Sequence, residues 1–171
     1  MIKLEYVPYG LVKINEWFGG CPAHIKVIEG KARPIRIKGW GAKNTKQIRL
    51  PFPLRLDTNR TLVVLNPWVH KRIAASLIDA LEEIESYAGH EFLIKYNLDI
   101  TAGIGSTRLM KSATDRLSMH AYFAAIDICP DLGPFGEPSR MPFFIHEAFL
   151  KRDWVNITME DGMHYQAAGG Y

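Results

Sequence analysis

The chain reads as a single α+β domain, helices mixed with short strands. Three observations predict this. Its 171 residues, 47% hydrophobic and 23% charged, suffice for one core and would be a squeeze for two domains. A helical apolar period runs from Asn66 to Gly89, and short β-branched or apolar runs bounded by Gly and Pro recur on both sides of it. There is no internal repeat and no low-complexity tract.

The elements follow in order. Leu11 to Phe18 puts Leu11, Ile14, Trp17 and Phe18 on one helical stripe, which Gly19-Gly20 ends. Residues 1–65 are otherwise loop-rich, with hairpin-like runs at Ile25 to Ile28 and Ile35 to Ile37. Asn66 as N-cap and Pro67 at the first helical position open a long core helix carrying Val69, Ile73, Leu77, Leu81 and Ile84, stopped at Gly89. Phe92 to Thr101 reads as a strand, and Gly103 and Gly105 open a loop to Leu117. Tyr122 to Cys129 is a buried strand broken by the Pro130 to Pro134 segment. Met141 to Leu150 is a short helix packing Phe143, Phe144 and Phe149, and Val155 to Gln166 is a strand or strand-turn.

Charge and cysteine usage narrow the function classes. Twenty-one Lys and Arg against 18 Asp and Glu give a net charge of +3, a mild preference for anionic surfaces that falls short of a nucleic-acid footprint. The basic residues are densest from Lys26 to Arg49, which reads as a solvated face. Cys21 and Cys129 are expected as free thiols, as in a reducing cytosol. Glu5 and Pro8 interrupt the N-terminal apolar run, so neither a signal peptide nor a membrane span is expected, and the protein is read as a monomer made in the cytoplasm.

Two C-terminal segments carry the candidate chemistry: Ser118-Met-His120 through Asp127, and Asp161-Gly162-Met163-His164. Two imidazoles and a carboxylate, His120, Asp127 and His164, suit three positions of a tetrahedral Zn²⁺ site, and Asp161 would take a proton from water. In one regular strand His120 and Asp127 would face opposite ways, so a bend is required between them, with His120 in the entering loop. Gly162 would form a tight turn aiming Asp161 and His164 into one cleft. A Ser118-His120-Asp127 triad ranks low, because no Gly-x-Ser-x-Gly elbow surrounds the serine. His146-Glu147 begins a His-Glu-x-x-His helix motif, but position 150 is Leu. Cys21-Pro-Ala-His24 is half of a structural zinc pattern without the other half.

Ser-x-His, then Ala-x-Asp ending seven residues after that histidine, then Asp-x-Met-His-aromatic, resembles the zinc D-alanyl-D-alanine carboxypeptidase and L-alanyl-D-glutamate endopeptidase family, which includes many phage endolysins. The resemblance covers mainly Asp99 to Gln166, and the family pattern Ser-x-His-x-x-Gly-x-Ala-x-Asp is met at every named position except Phe123, where glycine is expected. Asp153-Trp154 is also similar to the family pattern, with Lys151 and Arg152 in place of glycines.

The resemblance implies a hedgehog/DD-peptidase-like α+β fold, a small antiparallel sheet flanked by helices, with His120, Asp127 and His164 as Zn²⁺ ligands and Asp161 as catalytic base. Arg108 would bind substrate and stabilise an oxyanion, with Lys111 and Arg116 as competitors for that role, while Ser118 would orient its loop or touch substrate. The implied partner is bacterial peptidoglycan, cut at a stem-peptide amide, with an L-alanyl-D-glutamate endopeptidase favoured over a carboxypeptidase. Such a protein would reach the wall after release from the cell or be carried in a virion. The alternatives are a non-catalytic zinc-binding module on the same fold and a phage structural protein.

Overall fold

The computed structural model of the chain describes residues 1–111, 113–157 and 159–170. It begins with α1 (Leu11–Trp17), the hairpin β1 (Ala23–Ile28) and β2 (Lys31–Arg36), α2 (Trp40–Asn44) and β3 (Thr45–Gln47). Next come β4 (Leu54–Leu56), β5 (Asn59–Val64), β6 (Trp68–His70), α3 (Ala74–Ala88), α4 (His90–Lys95) and β7 (Ile100–Gly103). The C-terminal part holds β8 (Leu109–Met110), β9 (Ala113–Leu117), β10 (Ala125–Ile128), α5 (Phe143–Leu150), β11 (Val155–Ile157) and β12 (Asp161–Gln166). Two 3₁₀ turns, Met119–Tyr122 and Pro130–Leu132, bracket β10.

The main sheet has six strands in the order β11-β12-β10-β7-β4-β5. It is mixed, where a purely antiparallel sheet was expected: β4 runs parallel to β7, with Arg55 opposite Ile100. Between those strands the chain passes through β5, β6, α3 and α4, a crossover long enough to permit parallel pairing. Arg55 then clamps Asp99 at the start of β7 through two 2.6 Å contacts.

The core lies between this sheet and the helices. Buried Ala74, Leu77, Ala80, Leu81 and Ile84 form the inner stripe of α3, and Gly89 ends the helix at φ 77°. Against it pack Ile145 and Phe149 of α5, and the Phe149 ring stacks on Tyr165 of β12 at 4.3 Å. Trp154 donates to Ser76 at 2.9 Å, and the fully buried Arg152 pairs with Asp79 and Glu83, so α3 is tied to the segment leading into β11.

Several sequence expectations are corrected here. The long helix starts at Ala74, because Trp68–His70 pairs with Thr45–Gln47 as a strand and the Pro67 carbonyl accepts from Ile48, which puts Asn66-Pro67 in a sheet turn. Val69 keeps the apolar period going only because a strand also buries it. The strand expected from Phe92 is a helix as far as Lys95: Leu93 is buried and the Phe92 and Tyr96 rings meet at 4.5 Å one turn apart. The loop expected from Gly105 to Leu117 contains the β8–β9 hairpin. Leu11 and Phe143, each the first residue of its helix, are exposed and lie outside the core, against the expectation that they pack into it. The closing segment is the strand-turn-strand β11–β12, in which Thr158 lies outside the described residues. Cys21 and Cys129 are free thiols, and among the described residues no helix is long and apolar enough to cross a membrane.

Candidate metal centre

The β10–β12 register sets Asp127 directly opposite His164, so both side chains leave the sheet on one face. His120 reaches the same point from the 3₁₀ turn that precedes β10. That turn supplies the required bend: Ser118 caps it by accepting the His120 N–H at 3.3 Å, and Phe123 closes it in the left-handed region at φ 56°.

Three donor atoms converge there. His120 Nε2 lies 3.0 Å from Asp127 Oδ1, His164 Nδ1 lies 2.7 Å from the same oxygen, and the two ring nitrogens are 3.2 Å apart. All three residues are buried, and the group can hold a metal ion. The far side of each imidazole fixes its proton. His120 Nδ1 faces the Ile104 carbonyl at 3.3 Å, an acceptor only, and so donates to it. His164 Nε2 faces Gln166 Oε1 at 3.0 Å, and Gln166 is oriented because its amide nitrogen donates to the Ala168 carbonyl at 2.9 Å. With both outer nitrogens protonated, the two inner nitrogens and a carboxylate oxygen face one point, where either protons on the imidazoles, hydrogen-bonded to Asp127, or a metal ion in their place can satisfy the carboxylate.

Burial pushes the Asp127 carboxyl up, but its hydrogen bonds to His120 and His164 bring it far below the ordinary carboxylate range. Burial lowers His120; for His164 burial is again the largest single effect, but the bond to and charge of Asp127, the Gln166 bond and the Asp161 charge together outweigh it and raise the pKa. Asp161 behaves oppositely to Asp127. Burial raises its pKa, the Asp127 charge raises it further, and its Oδ1 is buried without a hydrogen-bond partner.

A cavity of about 450 Å³ opens beside the group at His164, the donor residue that lines it, and Arg108, Lys111, Arg116, Ser118 and Asp161 are among its other lining residues. Asp161 and His164 are three apart in one strand, which would ordinarily send them to opposite faces. The β11–β12 register instead jumps from Asn156 opposite Tyr165 to Ile157 opposite Asp161, and this irregularity lets both reach the cavity. Gly162 is therefore a strand residue, where a tight turn was expected; a Cβ on it would lie 2.6 Å from Ser139 Cα, so it serves close backbone approach.

Other sequence candidates resolve as follows. Arg108 Nη2 donates to Asp127 Oδ2 at 3.3 Å, which makes it an outer support of the donor group as well as a cavity residue. Lys111 stacks its ammonium 4.3 Å over the Phe135 ring, and Arg116 lines the cavity wall. Phe123 keeps the backbone geometry expected of a glycine, and its ring turns away to line a separate hollow beside Gly105. The 450 Å³ cavity is not narrowed by it. Ser118 spends its oxygen on a backbone N–H and has no bond to the His120 ring, against the triad reading. His146 is bonded to Ser139 at 2.8 Å and Tyr165 at 2.6 Å, a packing role.

Gln166, the Ile104 carbonyl and Phe135 were missed. Gln166 had a signal, since a polar side chain two residues after His164 in a strand shares its face. The other two depend on loop conformation, which no periodicity reports. No family model, curated protein or solved structure matches the chain.

Proposed function

We propose that this chain is a zinc-dependent peptidase of bacterial peptidoglycan, cutting an amide in the stem peptide, with the L-alanyl-D-glutamate bond favoured, on a hedgehog/DD-peptidase-like fold. The observation that carries the reading is the convergence of His120 Nε2, Asp127 Oδ1 and His164 Nδ1 within 3.2 Å, next to a cavity that His164 and Asp161 both line.

The donor set fits zinc. Two imidazoles and one carboxylate are characteristic zinc ligands, and Zn–N bonds of about 2.0–2.1 Å imply tetrahedral edges of roughly 3.3 Å, close to the separations here. Larger, oxygen-seeking Ca²⁺ matches neither the nitrogen donors nor the spacing. Bound in this way, zinc acidifies a water and polarises the scissile carbonyl.

The chain's own residues do the rest. Asp161, raised in pKa and free of competing hydrogen bonds at Oδ1, accepts the proton of the attacking water and returns it to the leaving amine. Arg108 has further N–H donors beyond the one given to Asp127, and these stabilise the oxyanion that develops on the carbonyl. Lys111 and Arg116 give the cavity a cationic wall suited to a carboxylate-bearing peptide. Ser118 holds the His120 turn in place.

Incubation with purified bacterial wall, followed by mass spectrometry of the released muropeptides, tests the reading. New stem-peptide termini are expected with the wild type, and with Asp161→Asn at a rate at least about 100-fold lower. Release of the same products at equal rates by both proteins, or by neither, would overturn it.

A further inference from the structure

The β1–β2 hairpin turns through Glu29 and Gly30, both at positive φ, and its register sorts its side chains into two faces. Ala23, Ile25, Ala32 and Pro34 are buried or half-buried. The opposite face presents His24, Lys26 and Ile28 from β1 and Lys31, Arg33 and Ile35 from β2, all exposed. Lys26 sits directly across from Arg33, and Lys31 lies on the same face diagonal to Lys26. Like charges placed opposite each other destabilise a strand pair. Among the described residues none of these three cations has an acidic partner, whereas Lys13, Arg55, Arg60 and Arg152 elsewhere on the chain do.

The hairpin adjoins the candidate active cavity. Arg36 Nε donates to Thr107 Oγ1 at 2.5 Å, one residue before Arg108. Arg116 lines both the cavity over the donor group and a smaller hollow of about 240 Å³ walled by Ala23, His24 and Ile25 of β1. These contacts come from the base of the hairpin and chiefly from its inner face, so a polymer on the outward face would lie on an element that flanks the cleft.

We infer that the outward face of the β1–β2 hairpin, built on Lys26, Lys31 and Arg33, is a docking surface for an anionic phosphodiester polymer attached to the cell wall. Charge complementarity selects the occupant: three uncompensated cations at strand spacing match repeating phosphates. The acidic Glu29 at the apex of the turn opposes tip-first insertion into an anionic bilayer. The inference rests on the wall-peptidase reading for the identity of the polymer.

The test compares the full-length wild type with Lys26→Gln/Lys31→Gln/Arg33→Gln by co-sedimentation. The probes are walls bearing a phosphodiester polymer, the same walls stripped of it by hydrofluoric acid, and vesicles containing phosphatidylglycerol. Three phosphate contacts predict that wild-type affinity for intact walls falls about 20-fold between 50 and 200 mM salt. The variant should bind intact walls at least tenfold more weakly at 50 mM salt and lose most of that salt dependence. Its melting temperature should equal or exceed the wild type's, since the Lys26–Arg33 repulsion is removed. Equal binding by the variant, or equal wild-type binding to stripped walls, would overturn the proposal. Vesicle binding as tight as wall binding would overturn it in favour of a membrane surface. Cleavage of a soluble stem peptide, expected to be equal in both proteins, is scored separately. If neither protein cleaves it while wall binding is still lost in the variant, the docking surface stands and the peptidase reading falls.

Discussion

His164 Nε2 and Gln166 Oε1 lie 3.0 Å apart on one face of β12, and this bond decides which nitrogen of the imidazole is left to face Asp127. Gln166 cannot turn its amide around without losing the Ala168 carbonyl.

Gln166→Leu removes this lock while keeping the volume. It should weaken Zn²⁺ affinity about 10- to 100-fold, the usual effect of losing an outer-shell partner, with the fold intact. Competition against a chromophoric chelator measures this, and unchanged affinity would show that the tautomer is set by something else.

Asp161→Asn preserves shape but removes the proton acceptor. Metal content should stay at wild-type level while turnover on wall substrate drops roughly 10²- to 10⁴-fold. A parallel loss of metal would instead make Asp161 part of the donor group.

Gly105 is packed against the Phe123 ring, and a Cβ there would come within 2.2 Å of it. Gly105→Ala should cost about 1–3 kcal/mol, several degrees of melting temperature for a domain of this size. In a Phe123→Gly background, which removes the ring and suits φ 56°, the same alanine should cost much less. Additive effects in calorimetry would contradict this packing.

His70 is buried, its Nδ1 accepts the Arg72 N–H at 3.2 Å, and burial lowers its pKa to about 4. The unfolded chain, with a histidine near 6.5, takes up the proton first as pH falls. The stability tied to neutral His70 is therefore complete above about pH 6.5 and is lost toward pH 4, on the order of 3 kcal/mol. Urea midpoints from pH 4 to 7 should show a steeper acid loss in wild type than in His70→Gln. Parallel curves would refute the assignment.

What the sequence disclosed followed periodicity and motif order. Ile14 and Phe18 of α1 and the inner stripe of α3 were legible from a 3.6-residue repeat, and the His120, Asp127 and His164 group from the order and spacing of its motif pieces. The strand around Asp127 was legible as a buried apolar run ended by Pro130, but it starts at Ala125, because Met119–Tyr122 forms a 3₁₀ turn. The Phe92 to Lys95 run was misread because a short apolar stretch has no period that separates helix from strand. The start of α3 was misread because β6 is defined by a partner more than twenty residues upstream. Asp161 and His164 share a cavity through a register irregularity, which depends on strand pairing and is invisible to spacing alone.

The central claim is that His120, Asp127 and His164 hold one ion between them. Elemental analysis of protein dialysed against Zn²⁺ and then against buffer tests it most directly. One zinc per chain in the wild type and essentially none in His120→Ala is the predicted result. Equal zinc in the two proteins, or none in either, would contradict it.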